Sequence, residues 1–399
     1  MRKIVVAAEV FSSNLGDYAI YDSLSNLLAS RDIKAIPLDI SFRRSFTVDS
    51  SPHLKYSQIY WKSLIPKKLK HHRLTQHILN RTMWHLVRRK NVISYWSDLI
   101  SNSDAVIIGG GQLLTDTSAD FHTKIALITE IANQFNKPIC ILGCGVGSEL
   151  SRKASRNISK ALDSASFVTL RDLHSADRLK SLVKNPTSIK VSPDLAFALN
   201  LTANSHTPLK ASELKKEICG FNIMPLEALK KYNSKLQDVN NDMYIEFWKR
   251  LALEAAKENL QIHIMTNGST RDYEQADAIY QSILSEGIDV VRTDRPTTPL
   301  DLYNQISNVD YLITTRMHAG IVGKAFGKPV ATLIWDDKIP GVWLEAGNQQ
   351  VAINSDIILN PDPWKEVQSA LEASKNIILT EIHEKISKNI DDCLKVIYS

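Results

Sequence analysis

Short apolar segments of strand length alternate with helical patterns along most of the chain. We predict strands in the first half over residues 3–8, 34–38, 105–108, 138–142, 167–170 and 189–191. In the second half we predict them over residues 218–223, 261–266, 289–292, 311–314 and 330–334. Segments such as 105–108 are apolar at every position, as strands are when helices cover both faces of a parallel sheet. Repeated β–α units of this kind predict an α/β fold with doubly wound parallel sheets.

A polar stretch over residues 202–212 separates two halves of this alternation. We predict an N-terminal Rossmann-like domain over residues 1–200 and a C-terminal Rossmann-like domain over residues 213–360. The helical pattern over residues 361–399 is predicted to pack back onto the first domain. Two such domains would face each other across a cleft, and ligand pockets favour clefts of this kind.

Composition places the chain among ordinary globular proteins. With 399 residues, 44% hydrophobic and 23% charged, it is long enough for two separate cores. The apolar segments are far shorter than a membrane span, and residues 1–8 indicate a first strand rather than a signal peptide. The four cysteines form no CxxC pair and have no metal-ligand spacing. We therefore expect a cytoplasmic, reduced protein without a metal or a cofactor.

One insertion, at about residues 41–100, is strongly basic. Between Asp49 and Asp98 the chain has ten Lys or Arg residues and no acidic residue, although its net charge is only +5. Tyr and Trp residues are interleaved with these charges. Such a segment can bind nucleic acid, an anionic membrane surface or an acidic substrate, or it can be merely solvated. Because ten like charges repel one another, we favour a functional surface.

The most informative site candidate is the segment of residues 315–320, Thr-Arg-Met-His-Ala-Gly. It follows a predicted strand and precedes a helical pattern, and ligands of open α/β sheets bind beyond the carboxyl ends of strands. Arg316 offers a guanidinium fork that fits phosphate or carboxylate, and His318 can move protons near neutral pH. The alternative is structural, with Arg316 paired to a buried Asp and His318 capping the helix.

The other strand ends also carry glycines or single polar residues. These are Asn14, Gly16, Asp17, Gly109, Gly110, Gly111, Gly145 and Arg171. Each has a structural explanation by itself: Asp17 can cap a helix, and Arg171 can pair with Asp172. Cys144 is expected to be a structural thiol, because no basic partner is near it in sequence. Taken together, the strand ends predict a cleft that holds an anionic ligand.

Several of these segments occur in the order and spacing of a known family. They are residues 14–17, 105–111, 143–147, 170–172, 192–196, 315–320, 325–330 and 336–338. In this combination the chain resembles the polysaccharide pyruvyl transferases, which move a pyruvyl group from phosphoenolpyruvate to a sugar as a ketal. The family often has Leu where Met317 stands, a conservative difference. The basic insertion is not part of the shared pattern.

The resemblance implies a GT-B-like fold and a role in the biosynthesis of surface or extracellular polysaccharides. It implies that the N-terminal domain lies on the acceptor side and the C-terminal domain on the donor side. Donor contacts are expected from Arg171, Arg316 and Met317, with His318 as the proton shuttle and Lys338 in a substrate loop. The chemistry agrees, because phosphoenolpyruvate carries two anionic groups and two arginines suit them. Phosphoenolpyruvate is then a substrate, and no cofactor is needed.

Two alternatives remain open from the sequence. One is a GT-B glycosyltransferase that uses a nucleotide sugar, and the other is a non-catalytic nucleic-acid-binding protein that acts through residues 55–90. We favour the transferase, without a nucleic-acid partner, because strand-end Arg and His side chains have no use in the latter. Members of the family commonly act on lipid-linked sugars. The basic, aromatic segment from Lys55 to Trp96 is therefore predicted to contact the inner face of the cytoplasmic membrane and help receive a lipid-linked acceptor.

Overall fold

The architecture consists of two parallel six-stranded β-sheets, each flanked by helices. It is taken from a computed structural model that describes residues 1–46, 89–116, 120–180, 182, 189–199 and 216–399. Most of the basic segment and the predicted linker over residues 202–212 therefore lie outside the described residues. The described ends of the basic insertion are a turn after a strand and a helix that begins at Arg89.

The N-terminal sheet has the strand order β2-β1-β3-β4-β5-β6, with every pair parallel. Its strands are β1 (Arg2–Ala8), β2 (Ile33–Asp39), β3 (Ala105–Gly109), β4 (Ile139–Cys144), β5 (Phe167–Leu170) and β6 (Lys190–Val191). Its helices are α1 (Tyr18–Ala29), α2 (Arg89–Ser101), α3 (Phe121–Gln134), α4 (Arg152–Ser164) and α5 (Leu173–Lys180). The chain winds outwards in opposite directions from β1 and β3, so the switch point of the sheet lies between these two strands.

The C-terminal sheet has the order β12-β11-β10-β7-β8-β9 and is also parallel throughout. Its strands are β7 (Ile218–Asn222), β8 (Gln261–Met265), β9 (Val290–Arg292), β10 (Tyr311–Thr314), β11 (Val330–Ile334) and β12 (Ala352–Asn354). The helices before and around them are α6 (Leu226–Lys230), α7 (Asn241–Lys257), α8 (Thr270–Leu284), α9 (Pro299–Ser307), α10 (Met317–Ala325), α11 (Lys338–Glu345), α12 (Trp364–Lys375) and α13 (Leu379–Tyr398). The switch point here lies between β7 and β10.

The central strands of both sheets are almost completely buried. Every residue of β3, β4 and β7 is buried, as expected for strands with helices on both faces. The predicted strands match the observed ones to within two residues at each end, and β10 and β11 have the predicted bounds. The short strand β12 was not predicted, because three residues give too little pattern to recognise.

The last helix, α13, packs on the N-terminal domain. The side chain of Asn389 donates to Thr169 Oγ1 at 3.1 Å, and Arg31 forms an ion pair with Asp391 at 2.6 Å. His383 Nε2 lies 2.9 Å from the carbonyl oxygen of Phe197. The chain thus returns to the first domain after completing the second, although the domain limits themselves stay a prediction.

The two sheets present their switch points to each other across a cleft. The loop after β1 reaches the loop after β8, where Leu15 N donates to Asn267 O at 3.0 Å and Asn267 Nδ2 donates to Asn14 Oδ1 at 2.9 Å. Gly16 permits this approach, because a Cβ atom there would lie 2.6 Å from Asn267 Nδ2 and 3.0 Å from His318 Cβ. The predicted fold class, two Rossmann-like domains facing across a GT-B-like cleft, is confirmed.

Candidate active site

A cavity of about 210 Å³ lies where the two switch points meet. Its N-terminal lining comes from the loops after β1 and β3 and from the start of α3, with Arg171 at the end of β5. Its C-terminal lining comes from the start of α10 and from the segment between β11 and α11. The lining residues are Ala8, Glu9, Asn14, Asp17, Ile20, Gly109, Gly110, Gly111, Gln112, Leu113, Phe121, Arg171, Arg316, Met317, His318, Trp335 and Lys338. Both domains therefore contribute to one ligand-sized cavity.

His318 lies at the first turn of α10 and joins the two domains at this cavity. Its Nδ1 donates to Asp17 Oδ1 at 2.8 Å, and its Nε2 lies 3.8 Å from Asp194 Oδ2, an ion-pair distance. The imidazole is thus placed between carboxylates from two loops of the N-terminal domain. Nε2 and Asp194 Oδ2 are both buried and make no hydrogen bond with the described residues. Neither atom would have to give up a hydrogen bond to another described residue in order to bind a ligand.

The surroundings of His318 favour the imidazolium form. Burial by itself lowers the pKa of the imidazole, but the hydrogen bond to Asp17 and the charges of Asp194 and Asp17 outweigh it and raise the pKa to about 9. The two carboxyl groups respond in the opposite sense. Burial raises their pKa values, and the contact with His318 more than offsets this, so that both stay below the usual range. At neutral pH the site therefore holds a protonated histidine between two carboxylates.

Arg171 is the most deeply buried cation of the cavity. Its side chain is 1% exposed and lies 3.4 Å from Asp172 and 3.5 Å from Asp194. Gly145 leaves the space for it, because a Cβ atom at that position would approach the guanidinium to within 2.8 Å or less. The Nη2 atom is buried and has no hydrogen-bond partner among the described residues. A buried guanidinium nitrogen without a partner is costly, so this atom is a natural contact for an anionic ligand.

Arg316 pairs with a carboxylate in its own domain. Its Nε and Nη2 donate to the two oxygens of Asp272 at 2.9 and 2.5 Å, and the Asp272 side chain is 1% exposed. Asp272 is fixed in turn by Ser269, the N-cap of α8. The structural alternative raised for Arg316 is therefore present, yet the same residue also lines the cavity. Asp272 sets the orientation of the guanidinium and offsets part of its charge.

Lys338 connects the domains on another side of the cavity. Its Nζ donates to Gln112 Oε1 at 2.7 Å and lies 3.2 Å from Asp336 Oδ2. The ammonium also lies 4.7 Å from the centre of the Trp335 ring. Burial lowers the pKa of Lys338, and the nearby Asp336 opposes this effect. The loop at residues 336–338 therefore brings a further cation to the cavity.

The structure brings most of the predicted site residues together. Arg171, Arg316, Met317, His318, Lys338, Asn14, Asp17 and the three glycines at 109–111 line one cavity. Gly16 and Gly145 do not line it but allow close contacts beside it. Cys144 is fully buried, and burial raises the pKa of its thiol to about 12, in agreement with a structural role.

The sequence analysis did not identify three residues that the structure places at or beside the cavity. Asp194 lies in the segment 192–196 that contributed to the resemblance, but no role was assigned to it. Asp272 gives no signal in the sequence beyond an acidic residue near a helix start. Glu9 directly follows β1, so the strand-end rule that selected Arg171 and Arg316 could have found it.

The sequence profile of the polysaccharide pyruvyl transferases matches residues 14–337, more than half of the chain. The chain belongs to the polysaccharide pyruvyl transferase family. The matched region includes every segment of the cavity lining except Ala8, Glu9 and Lys338. No curated protein sequence matches the chain.

Solved structures with the same fold include UDP-GlcNAc 2-epimerases. The S. aureus MnaA–UDP co-structure is 13% identical, with a TM-score of 0.56 over 100% of this chain and 98% of that one. The UDP-GlcNAc 2-epimerase of Methanocaldococcus jannaschii is 10% identical, with a TM-score of 0.58 over 99% of both chains. The enzyme of Neisseria meningitidis bound to UDP-GlcNAc is 12% identical, with a TM-score of 0.54 over 99% of this chain and 100% of that one. At such identities the similarity shows the fold alone.

The described residues contain neither a membrane-spanning helix nor a metal-binding cluster. Within the described part of the chain, no helix combines the length and apolar character that crossing a membrane requires. The described residues of this pyruvyl transferase family member also include no group of three His, Cys, Asp or Glu side chains placed to hold a metal ion. The expectation of a metal-free site stays a prediction.

The raised pKa of His318 predicts a pH-dependent contribution to stability. The protonated histidine stabilises the folded state fully below pH 6.5, its unperturbed pKa, and this contribution is lost as the pH rises through about 9. A shift of this size corresponds to roughly 3 kcal/mol. We expect the melting temperature of the wild type to exceed that of His318→Gln at pH 6 and to approach it above pH 9.

Thermal unfolding of both proteins across this pH range measures the effect. The exposed His174, changed to Gln, is the matched control and should follow the wild type at every pH. A difference between wild type and His318→Gln that does not narrow with rising pH would contradict the protonated state.

Proposed function

We propose that the chain transfers the pyruvyl group of phosphoenolpyruvate to two hydroxyls of a saccharide as a ketal. The observation that carries this proposal is the position of His318, held between two carboxylates in one cavity with Arg171, Arg316 and Lys338. An imidazolium beside three cations suits an anionic substrate that must receive a proton. The product belongs to surface or extracellular polysaccharide, in keeping with the family.

The cations fit both anionic groups of phosphoenolpyruvate. Arg171 has a buried Nη2 without a partner, and Arg316 is fixed by Asp272 with its side chain 18% exposed. Planar guanidinium forks bind phosphate and carboxylate in bidentate geometry. Lys338 provides a point charge at the same cavity. We propose that the two arginines and Met317 bind the donor and that the cations stabilise the phosphate as it leaves.

One proton donor, next to the bound phosphoenolpyruvate, is enough to balance the atoms and charges of the reaction. A first acceptor hydroxyl adds to C2 of phosphoenolpyruvate, and His318 delivers a proton to the methylene carbon, which becomes a methyl group. The C2–O bond to phosphate then breaks, and a second hydroxyl of the acceptor adds to C2. The two hydroxyl protons replace the one that His318 gave and neutralise the released phosphate. In this scheme phosphoenolpyruvate is a substrate, and neither a cofactor nor a metal takes part.

A ligand screen separates this function from nucleotide-sugar chemistry. The solved structures of similar fold hold UDP or UDP-GlcNAc, so nucleotide sugars are the comparison ligands. We expect phosphoenolpyruvate to raise the melting temperature of the protein, because a ligand that binds only the folded state stabilises it. UDP- and GDP-sugars without phosphoenolpyruvate should have no effect. Stabilisation by a nucleotide sugar alone would favour a glycosyltransferase.

Changing Arg316 to Lys is expected to weaken donor binding by about 10-fold or more. An ammonium cannot make the two parallel contacts of a guanidinium, either with Asp272 or with the donor. Quenching of the fluorescence of Trp335, which lines the cavity, can measure the dissociation constant of phosphoenolpyruvate. Arg152→Lys, at an exposed position in α4, is the control. Unchanged donor affinity in Arg316→Lys would remove this residue from the donor site.

The proposed acceptor and the proposed membrane contact are inferred from the sequence alone. We propose that the acceptor is a lipid-linked saccharide and that the segment from Lys55 to Trp96 contacts an anionic membrane surface, on the inner face of the cytoplasmic membrane. The support is ten positive charges without an acidic residue, set among aromatic side chains. Nucleic acid is not a partner in this proposal.

A further inference from the structure

Glu9 lies on the N-terminal side of the same cavity, and it is not among the residues proposed to bind the donor. It directly follows β1, so it lies at the switch point of the N-terminal sheet. Phe121 and the loop after β3, at residues 109–113, line the same cavity. Of the described residues that line the cavity, two carry a carboxylate, Asp17 and Glu9. Asp17 is already bonded to His318, so Glu9 is the other carboxylate available to a substrate.

The carboxylate of Glu9 is held in place from one side. Its Oε1 accepts hydrogen bonds from Ser41 Oγ and lies 2.9 Å from Arg43 Nη2. Arg43 is shared with Asp39, whose side chain is fully buried and lies 3.0 Å from the same nitrogen. One guanidinium thus faces two carboxylates. The side chain of Glu9 is 21% exposed, so a substrate in the cavity can reach it.

The reaction needs a base that His318 cannot supply at the first step. The addition of a hydroxyl to C2 removes one proton from the acceptor while another is given to the methylene carbon. His318 is already protonated between Asp17 and Asp194, so it can give a proton but cannot first accept one. Asp194 is engaged by the Ala196 amide and by the charges of Arg171 and His318. A second proton carrier is therefore required.

We propose that Glu9 accepts the proton of the first attacking hydroxyl and so marks the acceptor subsite of the cavity. The O–H bond of the acceptor breaks towards Glu9 as the new C–O bond forms at C2, and the methylene carbon takes its proton from His318. Glu9 then passes its proton to the phosphate released from C2. Phe121 contributes an apolar ring to the lining of the same cavity, and an aromatic ring together with a carboxylate suits the face and the hydroxyls of a sugar. This inference rests on the proposed function.

The electrostatics around Glu9 agree with a base. Burial raises the pKa of the carboxyl group above its ordinary value, Arg43 and the Ser41 hydrogen bond oppose this, and the charges of Asp39 and Asp17 add to it. Lys124 on α3 is a second cation within electrostatic range of Glu9, and its charge acts in the same direction as that of Arg43. A raised pKa makes the carboxylate a stronger proton acceptor.

The test compares Glu9→Gln with wild type on phosphoenolpyruvate and a panel of p-nitrophenyl glycosides as acceptors. We expect phosphate release coupled to ketal formation to fall by about 10²–10³-fold, because the amide cannot take a proton. The dissociation constant of phosphoenolpyruvate, from Trp fluorescence, should stay within about twofold of wild type, which also shows that the variant is folded. Glu130→Gln, at an exposed position of α3, makes the same charge change outside the cavity and should match wild type.

A pH profile distinguishes a base from a structural carboxylate. In wild type, kcat should fall at low pH as Glu9 becomes protonated, and this acid limb should be absent in Glu9→Gln. Glu9→Asp, which keeps a carboxylate but moves it, should retain the acid limb with a reduced rate. This variant also covers the case in which Glu9→Gln does not fold.

The outcomes separate the two proposals. If the wild type is active and Glu9→Gln keeps the full kcat or an unchanged acid limb, the inference about Glu9 is overturned. The proposed function is then left intact. Loss of phosphoenolpyruvate binding in a folded Glu9→Gln assigns the residue to the donor and also overturns the inference. A wild type that forms no ketal from any acceptor overturns the proposed function, and the inference falls with it.

Discussion

Replacing His318 by Gln is expected to lower turnover by about 10²–10⁴-fold, the usual contribution of a general acid. The glutamine amide can donate to Asp17 but cannot transfer a proton to the methylene carbon of phosphoenolpyruvate. Donor affinity should change by less than about fivefold, since the arginines provide the main anion contacts. Steady-state assays of phosphate release, with donor titration by Trp fluorescence, measure the two effects separately.

The control for this prediction is His174→Gln, a change of the same kind at an exposed position. It should leave both turnover and donor affinity at wild-type values. Near-normal turnover in His318→Gln would show that the histidine serves only to join Asp17 and the second domain.

Replacing Arg171 by Met is expected to destabilise the fold by about 3–5 kcal/mol, the usual effect of removing one partner from a buried ion pair. The guanidinium is 1% exposed and lies between Asp172 and Asp194. Without it, His318 and the Ala196 amide are the remaining contacts among the described residues that compensate the buried charge of Asp194. Donor binding should be lost as well, because the unpartnered Nη2 is removed. Thermal and urea unfolding measure the first effect, and titration with phosphoenolpyruvate measures the second.

A double variant shows where this loss of stability comes from. If the cost arises from an uncompensated carboxylate, Arg171→Met combined with Asp194→Asn should be more stable than Arg171→Met alone. Arg156→Met, at an exposed position of α4, is the matched control and should unfold like wild type. Equal stability of Arg171→Met and wild type would contradict the buried ion-pair network.

Much of the fold follows from local sequence patterns. Strands such as β10 and β11 are short apolar segments bounded by turn residues, and their limits follow from composition alone. The prediction for the final helical region was less exact, because the sequence indicated one continuous helical pattern where the structure has two helices, α12 and α13. Ile378, the last of the three residues between them, has an extended backbone that hydrophobic periodicity does not reveal.

The sequence predicted some residues of the candidate site but not the residues that pair with them. Arg316 and His318 could be found because both lie within four residues of the end of β10, and the edge of a parallel sheet collects such residues. Their partners could not be found in this way. Asp272 belongs to a different helix, and Asp194 to a different domain, so only the folded chain shows the contacts that set the charge of His318 and the orientation of Arg316. The pairing of distant carboxylates is a property of tertiary structure, which periodicity does not encode.

The proposed pyruvyl transfer requires that the methylene carbon of phosphoenolpyruvate is protonated and that a pyruvate ketal forms. NMR of the products made by wild type in D₂O, from phosphoenolpyruvate labelled with ¹³C at C2 and the acceptor found in the glycoside panel, tests both steps. We expect a labelled ketal carbon joined to two sugar oxygens, one deuterium in the adjacent methyl group, and one phosphate released for each ketal. Unconsumed phosphoenolpyruvate, or release of phosphate with free pyruvate as the sole carbon product, would rule out the proposed transfer.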